Sequence, residues 1–153
     1  MPKNIVFSIY IKNPEPNLSE KQQFTKTKLA KHYQKLLDVK KEYAKHCNAE
    51  FRLYHNYVQD TYWQNFKKKF KGERFDIIYN QYKIHIWEEL GKEGYNVLYL
   101  DFDVIPNSTE SFFEKFDMNK MSVYKDDDKQ VKVISGKMIH LINKRFEELW
   151  KVL

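Results

Sequence analysis

Tyr95-Asn96-Val97-Leu98-Tyr99-Leu100-Asp101-Phe102-Asp103-Val104-Ile105-Pro106 is the stretch from which the chain is best read. Its first six residues are apolar, aromatic or β-branched enough to form a buried strand, and that strand delivers two carboxylates, one residue apart, at its carboxyl end. Where the chain turns out of a sheet the strand alternation breaks, so both side chains can face one crevice. Carboxylate oxygens suit a hard cation such as Mg²⁺ or Mn²⁺, which commonly shares its coordination with substrate phosphates. Alone, D-x-D is common in surface loops, and Asp also caps turns. Two carboxylates at a buried strand end, however, repel one another unless a cation joins them.

Upstream, residues 75–90 carry Ile77, Ile78, Ile84, Ile86, Trp87 and Leu90 ahead of Gly91, which predicts a helix ended by that glycine. Residues 61–70 also read as helical. Ala49–His55 alternates apolar and polar residues, the period of a strand. Before it, Ser19 with Gln22 three residues on supplies a cap. Leu29, Tyr33, Leu36, Leu37, Tyr43 and Ala44 then recur at helical spacing toward Cys47, predicting one long amphipathic helix. Residues 5–11 form a first buried strand that runs into the breakers Asn13, Pro14, Pro16 and Asn17. Downstream, a short helix at 110–116, strands at 121–124 and 130–134, and a helix at 137–150 complete the pattern.

Strand and helix thus alternate, which predicts a single α/β domain over 1–153 with a mostly parallel central sheet flanked by helices, a Rossmann-type sandwich. Ligands of such sheets bind beyond the carboxyl ends of the strands. Residues 10–13 after the first strand and 101–103 after the third are therefore where a site is expected.

The composition agrees with one globular domain. The chain has 153 residues, 31% charged and 42% hydrophobic, with 27 basic against 21 acidic side chains for a net charge of +6. Eleven Tyr, eleven Phe and three Trp supply rigid walls for a core and a pocket. The single cysteine, Cys47, excludes an internal disulfide or a CxxC knuckle. His32, His46, His55, His85 and His140 lack paired metal spacing, and Lys67-Lys68-Lys69 reads as a solvated helix face. No apolar run approaches the ~20 residues of a membrane span, and the amino terminus lacks signal-peptide anatomy. The expectation is a cytoplasmic protein, in the host cytoplasm if it is viral.

The stretch around Asp101 and Asp103 resembles the segment that carries the DXD motif in GT-A type glycosyltransferases, where a hydrophobic strand ends in YLD-x-D followed by apolar residues. The resemblance extends back to Lys83, at the place where these families carry Arg or Lys one helix upstream. It extends forward through residues 111–117, similar to the helix after the motif in phage, viral and capsule-type members. Residues 134–139 and 143–149 look like the Asn-x-Gly-hydrophobic block, with Ile134 standing where the family has Asn.

The resemblance implies a GT-A-like fold and a metal-dependent transfer of sugar from a nucleotide diphosphate sugar to a glycan or other acceptor. Mn²⁺ or Mg²⁺ would sit on Asp101 and Asp103, the two expected catalytic residues, with Asp103 on the metal and Asp101 toward the ribose or a metal-bound water. Ser8, Tyr10, Lys83, Phe102, Ser135 and Gly136 would line the donor site, with Lys83 against the diphosphate and Tyr10 against the base. Bland alternatives stand beside these roles: Lys83 as a snorkelling surface lysine and Tyr10 as a packed aromatic. Asp126, Asp127 and Asp128 form an acidic cluster that reads either as a general base or as a solvated loop. Family members are normally longer, with a C-terminal acceptor region that often supplies a third metal ligand. A chain stopping at Leu153 is therefore expected to be minimal, truncated or completed by another chain.

Other functions fit less of the sequence. A haloacid-dehalogenase-type phosphatase also places D-x-D after a strand, but normally has Gly-Thr after the second Asp, where Val104 and Ile105 stand here. A non-catalytic nucleotide or nucleic-acid binding module is suggested by the charge and the aromatics, yet no nucleic-acid motif accompanies them.

Overall fold

The computed structural model describes residues 3–12, 20–57, 59–119, 121–124 and 131–134. Three parallel strands, β1 (Asn4–Tyr10), β2 (Ala49–His55) and β3 (Asn96–Tyr99), form a sheet in the order β2-β1-β3. The central strand pairs Asn4 with Ala49 on one side and with Asn96 on the other. Every residue of β1 after Asn4 is buried, as a strand covered on both faces requires. The chain is thus an α/β protein whose small parallel sheet is flanked by helices.

Helices α1 (Glu20–Lys31) and α2 (Tyr33–His46) connect β1 to β2, while α3 (Thr61–Lys67), a 3₁₀ turn at Lys68–Phe70 and α4 (Phe75–Lys92) connect β2 to β3. The two connections cross the sheet in opposite directions, so right-handed crossovers lay them on opposite faces. The side chains agree. Ile5, Phe7 and Ile9 pack with Trp63, Phe66, Ile78, Tyr82, Ile86 and Leu90 of α3 and α4, and Val97 of β3 joins them. Tyr10 points the other way, to Leu36 of α2 and Phe102.

Two expectations are corrected by packing. The long helix breaks at His32, although neither Gly nor Pro stands there. The break separates α1, none of whose described side chains is buried, from α2, which buries Leu36, Leu37, Lys40 and Ala44 against the sheet. Gly91 does not end α4: it lies buried inside the helix, and Gly94, at φ +89°, supplies the left-handed residue instead. There the Gly94 and Tyr95 amides donate to the Gly91 and Leu90 carbonyls at 3.1 Å each, a Schellman close. Asp60 caps α3 by accepting from the amides of Tyr62 and Trp63.

The expected helix at 110–116 shortens to α5 (Phe112–Lys115). The strands β4 (Met121–Tyr124) and β5 (Val131–Ile134) pair antiparallel in a separate sheet. Among the described residues no helix is long and apolar enough to cross a membrane. The expected helix at 137–150, Ser135, Gly136 and Asp126 to Asp128 lie outside the described residues.

Candidate functional site

Ligands of a parallel α/β sheet bind beyond the carboxyl ends of its strands, and there the segments after the neighbouring strands β1 and β3 lie side by side. Pairing continues one residue past β3, because the Leu100 amide donates to the Phe7 carbonyl at 3.0 Å. The chain then folds into a turn closed by the Val104 amide on the Asp101 carbonyl, also at 3.0 Å. Phe102 occupies the second position of that turn and is almost wholly buried, so it anchors the turn to the α2 face. Asp101 is half-buried and Asp103 is exposed. The two carboxylates thus flank a hydrophobic anchor at the crevice.

The Asp101 side chain continues the alternation of β3 and faces α4. Its Oδ1 accepts from the Tyr99 hydroxyl at 2.5 Å and from the Lys83 ammonium at 3.1 Å. Lys83 also lies 4.4 Å from the Tyr79 ring centre and 5.0 Å from that of Tyr99, within cation–π reach of both. The Tyr79 and Tyr99 hydroxyls are 3.1 Å apart. Burial pushes both phenols well above the ordinary tyrosine range; Tyr99 is raised further by Tyr79 and Asp101, Tyr79 by Asp101 and Asp103. Neutral Tyr99 is therefore a donor to the carboxylate at any ordinary pH.

On the opposite side lies a residue that the sequence reading passed over. Lys40, from the middle of α2, is fully buried, and its ammonium donates to the Phe102 carbonyl at 2.8 Å and the Val104 carbonyl at 2.6 Å. It also lies 5.2 Å from the Phe102 ring centre. Desolvation brings its pKa down to about 8, against the opposing fields of Asp103 and Asp101. A signal was available: Leu36, Lys40 and Ala44 follow one another at i, i+4 spacing, so a lysine stands in the apolar stripe of α2.

Under the turn lies an aromatic floor. Tyr10 packs at 4.6 Å from Tyr33 and 4.7 Å from Phe102, and Tyr33 stacks on Phe102 at 5.5 Å. Burial raises the Tyr10 phenol pKa, aided by Tyr33 and Tyr57. Beside it His55 stacks on Tyr57 at 4.2 Å, Lys12 lies over the Tyr57 ring, and the Lys12 amide donates to buried Asn56 Oδ1 at 2.8 Å. Ser8 is wholly enclosed, and its hydroxyl donates to the Leu100 carbonyl at 2.6 Å. Its place is that of a strut between β1 and the start of the turn, beneath any surface a ligand touches.

Of the predicted residues, then, Asp101, Phe102, Asp103 and Lys83 meet at one turn, with Tyr10 and Ser8 beneath them. Two cavities, of about 670 and 580 Å³, lie elsewhere. The first is at the amino ends of β1 and β2, beside Lys3, Lys41, Lys45 and Asn48; the second is between His46 and residues 109–115. Neither includes the carboxylate turn.

The donor set at the turn consists of carboxylate oxygens. Among the described residues no group of three or more His, Cys, Asp or Glu side chains gathers to hold an ion. Two carboxylates do fit a hydrated Mg²⁺ or Mn²⁺, which is ordinarily held by one or two carboxylates with water and phosphate oxygens completing its shell. No family model matches the chain, and no curated protein or solved structure matches it either.

Proposed function

We propose that the chain is a GT-A-like nucleotide-sugar binding domain and a metal-dependent glycosyltransferase, moving a sugar from a nucleotide diphosphate sugar to a glycan or other hydroxyl-bearing acceptor. One observation carries this reading: Asp101 and Asp103 lie on a single turn beyond the carboxyl end of β3, with Lys83 beside Asp101. The aromatic floor of Tyr10, Tyr33 and Phe102 supports the same crevice.

Asp101 and Asp103 would hold Mn²⁺ or Mg²⁺ together with the donor phosphates. When bound, the cation supplies positive charge against the diphosphate as it departs. Lys83 adds a cation to the same leaving group once its ammonium exchanges the Asp101 carboxylate for a phosphate oxygen. The Tyr99 hydroxyl holds Asp101 in place through that exchange. Val104, which closes the turn, and Ile105 after it are exposed apolar side chains beside the carboxylates.

The test is calorimetric titration with uridine and guanosine diphosphates and their sugar conjugates, each with Mn²⁺ and again with EDTA. Binding that needs the metal and falls about a hundredfold in Asp103→Asn, equivalent to about 3 kcal/mol, is the expected result. Binding that is indifferent to EDTA and to Asp103→Asn overturns the assignment and favours a non-catalytic binding module.

A further inference from the structure

The carbonyls of Phe102 and Val104 bracket Asp103, and both end on one buried ammonium, that of Lys40. Burying a charge costs several kcal/mol unless its partners return it, and between Leu36 and Ala44 a leucine or methionine would fill the space without that cost. An apolar residue there would, however, leave two turn carbonyls without the donor they now have. It would also leave two neighbouring carboxylates without the field that offsets their repulsion. Four groups therefore explain one lysine: two carbonyls it bonds directly and two carboxylates whose charge it balances. Because Lys40 has no exposed surface, it acts on the crevice through the backbone of the turn.

We propose, resting on the transferase reading above, that Lys40 is a positioning residue of the carboxylate turn. By holding the Phe102 and Val104 carbonyls it fixes the backbone on either side of Asp103 in the conformation that presents both carboxylates to a divalent cation carrying a diphosphate. Lys83 and Lys40 divide the work. Lys83 holds the Asp101 side chain and is free to exchange it for phosphate, whereas Lys40 holds the backbone and stays where it is. The turn is thereby set before the ligand arrives, and little ordering remains to be done on binding.

The experiment compares wild type, Lys40→Met and Leu37→Ala. Leu37 is buried on the same helix and has no bond to the turn, so its truncation destabilises the domain without touching the clamp. Binding of Mn²⁺ alone is read from the paramagnetic resonance of the free ion. Binding of Mn²⁺ with uridine or guanosine diphosphate is read by calorimetry, and stability by urea unfolding. Lys40→Met should lose at least tenfold in Mn²⁺-dependent diphosphate binding, while Leu37→Ala, at a comparable loss of stability, should lose less than threefold. Equal losses in the two variants, or none in Lys40→Met, overturn the role of Lys40. Wild type that takes neither Mn²⁺ nor Mn²⁺ with diphosphate overturns the transferase reading, and this inference with it.

If Lys40→Met does not fold, the wild-type protein carries the test through the nitrogen resonance of the Lys40 ammonium. An ammonium that exchanges slowly before any ligand is added, and equally slowly with Mg²⁺ and diphosphate, supports the role. An ammonium that exchanges freely until the ligands arrive overturns it.

Discussion

The two faces of the sheet are built from different materials. Against α3 and α4 lies a broad core in which Phe7, Trp63, Phe66, Tyr82, Ile86 and Leu90 interlock, with Trp63 at 4.8 Å and Phe66 at 5.0 Å from Tyr82. Against α2 the cluster is small, consisting of Tyr10, Leu36 and Phe102 with Leu29, Tyr33 and Leu53 at its edge, and a lysine is buried beside it. Each large apolar side chain buried on the first face contributes about 1.5–3 kcal/mol. The second face contains fewer such groups, and several of its contacts converge on the turn. The α3–α4 face therefore carries most of the core and, through Lys83 and Tyr99, holds the Asp101 carboxylate, whereas the α2 face holds the backbone of the turn through Lys40.

This division can be broken from either side. The largest effect on stability belongs to the α4 face: Trp63→Ala should cost about 3–5 kcal/mol in urea unfolding. It should leave metal-dependent binding of the surviving folded protein within about threefold of wild type. On the turn itself, Lys83→Ala should weaken diphosphates about tenfold, or about 1.4 kcal/mol, with nucleosides unchanged. An equal loss for both ligands in calorimetry would remove its phosphate role.

Tyr99→Phe deletes one hydrogen bond to a charged group, a contact worth about 1.5–3 kcal/mol when fully buried. With Asp101 half-exposed, the expected loss is about 1 kcal/mol by denaturation, accompanied by a small fall in Mn²⁺ affinity.

The smallest effect concerns pH. His85 packs against Phe66 at 5.0 Å and Tyr62 at 5.5 Å, and burial lowers its pKa below the ordinary value of 6.5. A depressed folded-state pKa means that the folded chain binds the proton less readily than the unfolded one. The stability it contributes is present above pH 6.5 and lost as the pH falls through the folded value. Urea midpoints measured from pH 7.5 down to 5 should therefore decline less in His85→Phe than in wild type. Identical slopes would separate His85 from the acid response.

The sequence made some of this legible because its signals were local. An apolar run ending in Asp-Phe-Asp announced both β3 and its turn, and breakers or alternation marked β1 and β2. What escaped depended on contacts distant in the chain. Nothing near His32 foretells a break, since neither Gly nor Pro stands there and the difference between the two helices lies in burial, with Leu36, Leu37, Lys40 and Ala44 of α2 buried. Lys40 looked like one of many lysines because its partners stand 62 and 64 residues away. Ser8 was read as a ligand contact, yet its hydroxyl is taken by a carbonyl 92 residues away. Gly91 directly follows the last apolar residue of the periodic run and so reads as a stop, whereas the backbone takes its left-handed turn at Gly94.

The strand order carries a consequence for synthesis. The central strand is made first, and the partner on its β3 side follows only after 96 − 4 = 92 further residues, as the pairing of Asn4 with Asn96 requires. At about 5–20 residues per second the ribosome takes roughly 5–20 s to supply it. During that interval one edge of the most apolar strand stays bare, with Ile5, Phe7 and Ile9 lacking much of their cover. Nascent chains stalled between residues 60 and 95 should therefore be the species that chaperones hold longest.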